Sequence, residues 1–225
     1  MTEGTVCLAY VHDRRVAHSW HASMVGLLAQ DARAKRFARG GVLAVPCRTG
    51  GLAEARNAAV ETFLESAAEW LLWVDTDMGF AADSLDRLLA VADPVERPIV
   101  GGLCFRLHEG EPDGMGGWRT EPQPTLYRWI EVGGEEGYEL HLDYPDGLVE
   151  VDATGSAFIL IHRDVLVKVG RDWYSRLPVE PSGVLLSEDL SFCRRVTGLG
   201  FPVLVDTRVK TTHLKYTWVG EVTHG

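Results

Sequence analysis

The chain contains the segment Trp70-Leu71-Leu72-Trp73-Val74-Asp75-Thr76-Asp77, in which five large apolar residues precede two acids. A strand without a polar position is covered on both faces, as in parallel sheets with helices packed on each side. Ligands of open α/β sheets bind just beyond the carboxyl ends of such strands. We therefore expect Asp75 and Asp77 to lie at a binding site on the edge of a buried sheet.

Strands and helices alternate through the first half of the chain. In the second helix, Val60, Phe63 and Leu64 share one face, and Arg56 lies one turn earlier on that same face. Alternation of this kind is typical of parallel sheets built from strand-helix-strand units. The sequence therefore predicts an α/β fold with a mostly parallel central sheet flanked by helices. The strands of this half are expected at residues 5–11, 41–46, 70–75 and 98–105.

The second half has a different pattern. Residues 106–124 are so rich in glycine and proline that we expect a long loop without helix or strand. Beyond it, short strands with turn residues between them predict a smaller antiparallel portion. The expected strands lie at 126–132, 138–142, 157–161, 202–205 and 209–213, and the expected helices at 164–169 and 188–198.

Length and composition indicate one globular domain. The chain has 225 residues, of which 46% are apolar and 24% charged, and no apolar run approaches membrane-spanning length. A net charge of -10 disfavours broad binding of nucleic acid, and a diphosphate ligand would need a metal ion or nearby arginines. The start of the chain lacks a secretory pattern and the four cysteines lack paired spacing, so we expect a cytoplasmic protein with free thiols.

Asp75 and Asp77 have two interpretations. Aspartates commonly end a strand by accepting hydrogen bonds from their own backbone. Here the preceding strand is too apolar for a sheet edge and a helix follows, which favours a ligand cleft. Carboxylate oxygens suit Mg²⁺ or Mn²⁺, which keep coordination positions open for phosphate groups.

Three further candidates remain open on the residues alone. Glu188 and Asp189 follow Ser187, so they either form the capped first turn of a helix or provide a general base. Arg56 either pairs with a carboxylate or contacts the phosphate or base of a nucleotide. His213 either completes a metal shell or is one of eight histidines without a shared role.

Taken together, four segments resemble small glycosyltransferases of the GT-A fold, of the family 2 type found in bacteria and phages. The resemblance covers most of residues 5–105 and 150–213. It implies one glycosyltransferase domain over 1–225, with a nucleotide-sugar-binding half (1–105), a flexible loop (106–124), an acceptor and catalytic half (125–213) and a tail (214–225). The matching segments are Ala55-Arg56-Asn57, Leu71 to Met78, Val151 to Phe158, and Glu188 to Cys193 followed by His213.

The resemblance also implies roles for individual residues. Asp77 would hold Mn²⁺ or Mg²⁺ on the diphosphate of the donor, with His213 as a third protein ligand. Asp75, also expected at the metal, would contact the nucleotide ribose or a metal-bound water. Asp189 would act as the general base of an inverting transfer, with Glu188 holding a sugar. The donor nucleotide would be contacted by Tyr10, Val11 and His12 at the end of the first strand, by Arg56, and by Thr76 and Gly155 within the matching segments.

We therefore expect a metal-dependent enzyme that transfers one sugar from a nucleoside diphosphate sugar, with UDP favoured, to a hydroxyl acceptor of unknown kind, such as a polysaccharide, protein, lipid or modified DNA base. The alternatives are a nucleotidyltransferase that forms a sugar nucleotide, and a sugar-nucleotide-binding or carbohydrate-binding module without turnover. A nucleotidyltransferase normally has a glycine-rich phosphate loop after the first strand, which residues 11–16 lack. Asp189→Ala would separate an enzyme from a binding module.

Overall fold

The computed structural model describes residues 4–13, 15–47, 50–112 and 118–215. Within them the helices are α1 (His18–Ala34), α2 (Gly51–Glu65), α3 (Ser84–Val91), α4 (Arg163–Val169) and α5 (Glu188–Gly198). The strands are β1 (Val6–His12), β2 (Phe37–Pro46), β3 (Trp70–Val74), β4 (Met78–Gly79), β5 (Ile99–Leu103), β6 (Phe105–Pro112), β7 (Trp118–Pro124), β8 (Leu126–Val132), β9 (Glu135–Leu140), β10 (Leu148–Val151), β11 (Ala153–Thr154), β12 (Phe158–His162), β13 (Pro178–Val179), β14 (Val184–Leu185), β15 (Val203–Lys210) and β16 (Thr212–His213).

A central sheet of seven strands has the order β10-β15-β5-β12-β3-β1-β2. Five of these strands run in the same direction, and β10 and β12 run against them. The carboxyl ends of β1, β3, β5 and β15 therefore meet at one edge of the sheet. The expected mostly parallel α/β architecture is confirmed.

Helices cover both faces of the sheet. One core cluster packs α2, α4 and α5 against it, and the other packs α1 and α3 against the opposite face. In β3, Leu71 and Trp73 belong to the first cluster and Leu72 and Val74 to the second, and all four are fully buried. The apolar run that precedes Asp75 is thus required by burial on two sides.

The expectation of a loop without strands at 106–124 was wrong, because β6 and β7 pair there as an antiparallel hairpin. Pro122 lies opposite Leu107 and Pro124 opposite Phe105. A two-stranded hairpin has two open edges, so a proline that faces outward removes no ladder hydrogen bond, and proline is tolerated there. Residues 113–117 lie outside the described part of the chain. The smaller antiparallel portion expected in the second half is present as the three-stranded sheet β11-β8-β9.

The end of the described chain returns to the loop after β3. The two short strands expected near 202–213 are instead one strand, β15, followed by β16. β16 pairs with β4, which places His213 opposite Met78, and the backbone N–H of Leu214 donates to the carbonyl of Asp77 (2.8 Å). This return brings residues far apart in sequence to the same edge of the sheet.

Two expectations about the whole chain concern membranes and thiols. In the described residues, no helix has both the length and the apolarity needed to cross a membrane. All four cysteines are free; Cys7, Cys104 and Cys193 are buried, and Cys47 is exposed.

Candidate active site at the carboxyl edge of the sheet

Arg56 joins the two acids that the sequence singled out on different elements. Its Nη1 donates to Asp189 Oδ1 at 2.6 Å, and its Nη2 donates to both carboxylate oxygens of Asp75 at 3.0 and 3.2 Å. The Arg56 side chain is 1% exposed, whereas those of Asp75 and Asp189 are 26% and 22% exposed. A buried guanidinium therefore holds two carboxylates that reach the surface.

Arg56 lies between two aromatic rings. Its guanidinium carbon is 5.4 Å from the centroid of Trp73 and 5.2 Å from that of Tyr174, within the range of cation–π attraction. Asn57 fixes the Tyr174 segment, because its Oδ1 accepts from the Tyr174 backbone N–H at 2.9 Å. Burial lowers the pKa of Arg56, but the carboxylates of Asp189 and Asp75 outweigh it, so the net pKa is raised and the cation is maintained.

The pKa of Asp75 is raised to about 6. The largest cause is burial, which disfavours the charged carboxylate, and the negative charges of Asp189 and Asp77 act in the same direction. Arg56 and His213 oppose this shift. Several acids share this edge of the sheet, and Arg56 favours the ionised form of Asp75 among them.

Asp77 and His213 form a second pair. His213 Nε2 is 2.9 Å from Asp77 Oδ2, and Nδ1 is 2.7 Å from the Phe105 carbonyl oxygen. Burial raises the pKa of Asp77, but the hydrogen bond and charge of His213 and the charge of Lys215 outweigh it and leave the pKa lowered. Lys215 Nζ lies 3.5 Å from the same oxygen of Asp77.

The geometry of this pair fits a divalent cation. A carbonyl oxygen only accepts, so Nδ1 carries the hydrogen, and the second ring nitrogen, Nε2, faces a carboxylate oxygen. Two acceptors face each other favourably only with a proton or a cation between them. Adjacent ligands on an octahedral ion with bonds of about 2.1 Å lie roughly 3.0 Å apart, which matches the observed separation.

The pair is short of a full ligand set. Among the described residues, no group of three or more histidine, cysteine or acidic side chains is spaced to hold a metal ion. The expected trio of Asp75, Asp77 and His213 is therefore present as one contacting pair, with Asp75 turned to Arg56. Such a pair leaves positions for phosphate oxygens, as Mg²⁺ and Mn²⁺ sites in nucleotide enzymes do.

Asp189 begins α5 in the way that the sequence indicated. The Ser187 side chain accepts from the Leu190 backbone N–H at 3.3 Å and caps the helix. A Cβ atom added to Gly155 would lie 3.8 Å from Asp189 Oδ2, so the backbone at Gly155 passes close to this carboxylate. One Asp189 oxygen is thus held by Arg56, and the other faces Gly155. Glu188 is partly exposed beside it, and its charge acts on Arg56.

A cleft of about 850 Å³ opens beside these acids. It is lined by Asp13, Asp75, Thr76 and Asp77, by Val11 at the end of β1, and by the cations Arg15 and Lys215. Three acids line the cleft and Lys215 lies 3.5 Å from Asp77, so a diphosphate would need a metal ion in addition to these two cations.

The residues expected to hold the nucleobase divide between the two faces of the sheet. Val11 lines the cleft, whereas the Tyr10 ring packs edge-on against Trp20 at 4.9 Å on the α1 side. His12 lies 6.1 Å from the Tyr10 ring, and its backbone carbonyl accepts from the Cys47 N–H. Arg56, expected at the nucleotide, lies beneath the acids.

Sequence reasoning missed Arg15, Lys215 and Tyr174. Arg15 had a signal, because it follows the first strand at the expected binding edge. Tyr174 had none, because it lies between expected elements, and its position under Arg56 depends on the hydrogen bond to Asn57. Lys215 reaches the site only through the pairing of β16 with β4.

Comparison with known proteins shows the fold. No protein-family model matches the chain, and no curated protein sequence matches it significantly. The structure of A197 from STIV aligns with 97% of this chain and 98% of its own at 16% identity, with a TM-score of 0.52. GalNAc-T7, crystallised with UDP, GalNAc and Mn²⁺, aligns with 94% of this chain and 44% of its own at 12% identity, with a TM-score of 0.61. The chain therefore has the GT-A fold of glycosyltransferases.

Proposed function

We propose that this protein is a metal-dependent glycosyltransferase that transfers a single sugar from a nucleoside diphosphate sugar to a hydroxyl acceptor. The observation that carries the proposal is the Asp77–His213 pair, whose 2.9 Å separation suits one divalent ion, beside a cleft that is lined by Asp77 and two cations. The candidate base, Asp189, is tied to the same strand end through Arg56 and Asp75. Residues 1–105 then form the donor half and 125–213 the acceptor half.

The donor diphosphate is placed in the cleft beside Asp77. A bound Mn²⁺ or Mg²⁺ supplies electrostatic stabilisation of the charge that develops on the leaving diphosphate. Asp77 and His213 would hold this ion, and Asp75, held by Arg56, faces the same cleft. Arg15 and Lys215 add fixed positive charge along the diphosphate.

Asp189 removes the proton from the attacking acceptor hydroxyl. Arg56 fixes one carboxylate oxygen, and in the described residues no hydrogen-bond donor reaches the other, Oδ2. A carboxylate with one oxygen fixed and the other open can accept a proton without moving. Direct attack by the activated hydroxyl inverts the anomeric configuration of the donor sugar.

UDP is the nucleotide that we favour. Val11, Leu52 and Thr76 offer apolar and hydroxyl surface at the end of the cleft near β1, beside Asp13 and Arg15. GalNAc-T7, which shares the fold, was crystallised with UDP and Mn²⁺. Mn²⁺, the metal in that complex, also accepts the mixed oxygen and nitrogen ligand set of Asp77 and His213.

The first test is binding of nucleoside diphosphates in the presence of Mn²⁺. Calorimetry with UDP, GDP, ADP and CDP should show one preferred nucleotide, UDP, whose affinity falls sharply when EDTA removes the metal. Asp77→Asn should abolish the metal-dependent part of this affinity. Asp164→Asn is the matched control, because Asp164 is exposed and begins α4 at the opposite edge of the sheet.

The second test concerns turnover. Long incubation with a panel of UDP-sugars and Mn²⁺ should release UDP, by slow hydrolysis or by transfer. Asp189→Asn should retain UDP binding and lose transfer once an acceptor is supplied, whereas a binding module has no rate to lose. Absence of both metal-dependent binding and UDP release across the panel would refute the proposal.

A further inference from the structure

A second cavity lies at the base of the β6–β7 hairpin. It has a volume of about 240 Å³ and is lined by Arg106, His213 and Lys215, together with apolar residues of the hairpin and Thr120. It shares Lys215 with the donor cleft and includes the histidine of the candidate metal pair. A group bound here would therefore lie next to the metal end of the donor.

The charge of this cavity is opposite to that of the chain. No acid lines it among the described residues, although the whole chain has a net charge of -10. Lys215 is already near Asp77, at 3.5 Å. Arg106 donates to the neutral Gln123 Oε1 at 2.9 and 3.3 Å, and no described carboxylate lies within ion-pair distance of it. Arg106 is thus an exposed cation whose described partners, Gln123 and the Tyr127 hydroxyl, are uncharged, and its guanidinium has five N–H donors.

The hairpin base is also adjacent to the candidate base. The backbone N–H of Thr125 donates to the Cys104 carbonyl at 2.9 Å, which fixes Thr125 beside the start of β6. A Cβ atom at Gly155 would lie 3.7 Å from Thr125 Oγ1 and 3.8 Å from Asp189 Oδ2. Burial raises the pKa of Tyr127, and the charges of both Arg106 and Asp189 act on its hydroxyl. Arg106 and Asp189 therefore flank the same surface.

We propose that Arg106, in the cavity at the base of the hairpin, binds an anionic group of the acceptor, a phosphate or a carboxylate. An acceptor held there by its anion would extend its hydroxyl toward Asp189 and the donor sugar. The inference rests on the proposed glycosyltransferase function, because it assigns the second substrate of the same site. It selects phosphorylated or acidic polyols and sugars over neutral ones.

The test uses paired probes that differ in charge. Glycerol 3-phosphate is compared with glycerol, and glucuronate with glucose, by ligand-observed NMR on the full chain with Mg²⁺, both with and without saturating UDP. Saturating UDP keeps the probes out of the donor cleft. Binding of a charged probe in its presence, without binding of the neutral partner, is the expected result. The phosphate and carboxylate arms show which anion is preferred.

Variants connect the binding to Arg106. Arg106→Gln should lower the affinity for the charged probe by about tenfold, because hydrogen bonds to a charged group are lost. It should leave UDP affinity within about twofold of wild type. Arg106→Lys should retain part of the affinity, since it keeps the charge without the planar fork. Arg33→Gln, in the exposed last turn of α1, is the matched control and should change neither the affinity for the charged probe nor the affinity for UDP.

Three results would overturn the inference. The first two are equal binding of charged and neutral probes, and unchanged binding of the charged probe to Arg106→Gln. The third is a loss of UDP affinity in Arg106→Gln as large as the loss of affinity for the charged probe, which would place Arg106 in the donor site. Failure of UDP to bind is a separate outcome. It refutes the donor assignment, while the titrations without UDP still decide whether Arg106 binds an anion. Unchanged thermal unfolding of Arg106→Gln excludes a folding defect as the cause.

Discussion

Replacing Arg56 by methionine tests whether one buried cation holds the site together. Methionine keeps a similar unbranched volume between Trp73 and Tyr174 but removes all three hydrogen bonds to Asp75 and Asp189. Removing one partner of a buried ion pair costs about 3–5 kcal/mol, and the partial exposure of both acids places the cost near the lower end, roughly 3 kcal/mol. For a chain of this length that lowers Tm by roughly 10 °C.

The pH dependence of this loss has a definite sign. Burial already raises the pKa of Asp75 in the folded state from 3.8 to about 6. Ionisation of Asp75 therefore lowers the free energy of unfolding as pH rises from 3.8 to about 6. Without Arg56 the pKa of Asp75 rises further, and protonation relieves the uncompensated charge. The difference in unfolding free energy between wild type and Arg56→Met should therefore be largest at pH 7.5 and shrink toward pH 5.

Urea denaturation in metal-free buffer at pH 7.5, 6.5 and 5.5 measures this difference. Arg87→Met is the comparison, because Arg87 pairs with Asp83 on an exposed helix surface and its loss should change stability little. Arg56→Lys should be intermediate, since one ammonium cannot reach both carboxylates. Equal stability of Arg56→Met and wild type at pH 7.5, or a loss that does not depend on pH, would refute the electrostatic reasoning.

Substitutions at four other positions have expected outcomes. His213→Gln should weaken Mn²⁺-dependent UDP binding by about tenfold or more in calorimetry and leave metal-free UDP binding unchanged, because it removes the Nε2 ligand. Gly155→Ala should be tolerated, because its Cβ meets ordinary contacts. Gly155→Val should reduce the rate of transfer more than UDP affinity, because the larger side chain crowds the candidate base. Equal transfer rates in Gly155→Val and wild type would contradict the close approach of Gly155 to Asp189. Gly102→Ala should destabilise by about 1–3 kcal/mol in urea, since its Cβ would lie 2.9 Å from the Val209 carbonyl, while Gly137→Ala, with open space around it, should not.

The sequence predicted those parts of the site that depend on local pattern. The apolar run before Asp75 placed the acids at the edge of the sheet because burial of β3 on both faces leaves no other position for the first polar residue. Helical spacing placed Arg56 inward, where a cation needs a carboxylate partner. Ser187 predicted the capped start of α5, and the capping hydrogen bond is present.

Long-range pairing accounts for the rest. Nothing local indicates that His213 meets Asp77, which is 136 residues away, because their contact depends on the register of β16 against β4. The two acids that share Arg56 could not be identified from helical spacing either. The hairpin at residues 105–124 was missed because its glycines and prolines resemble those of a loop, and pairing between two open strands tolerates them.

The charges at the edge of the sheet indicate what kind of ligand the site accepts. Asp75, Asp77 and Asp189 bring three negative charges there. Arg56 offsets part of them from below without entering the cleft, and Lys215 lies 3.5 Å from Asp77. The surplus favours a divalent cation at Asp77, and a cation bound there in turn attracts a diphosphate that the acids alone would repel. In a nucleoside diphosphate sugar the diphosphate has two negative charges, which roughly cancel those of the ion. Under the proposed function, donor and metal would therefore enter as a nearly neutral unit. After transfer of the sugar, the additional negative charge on the diphosphate would no longer be cancelled by the ion, and the same acids would then favour its release.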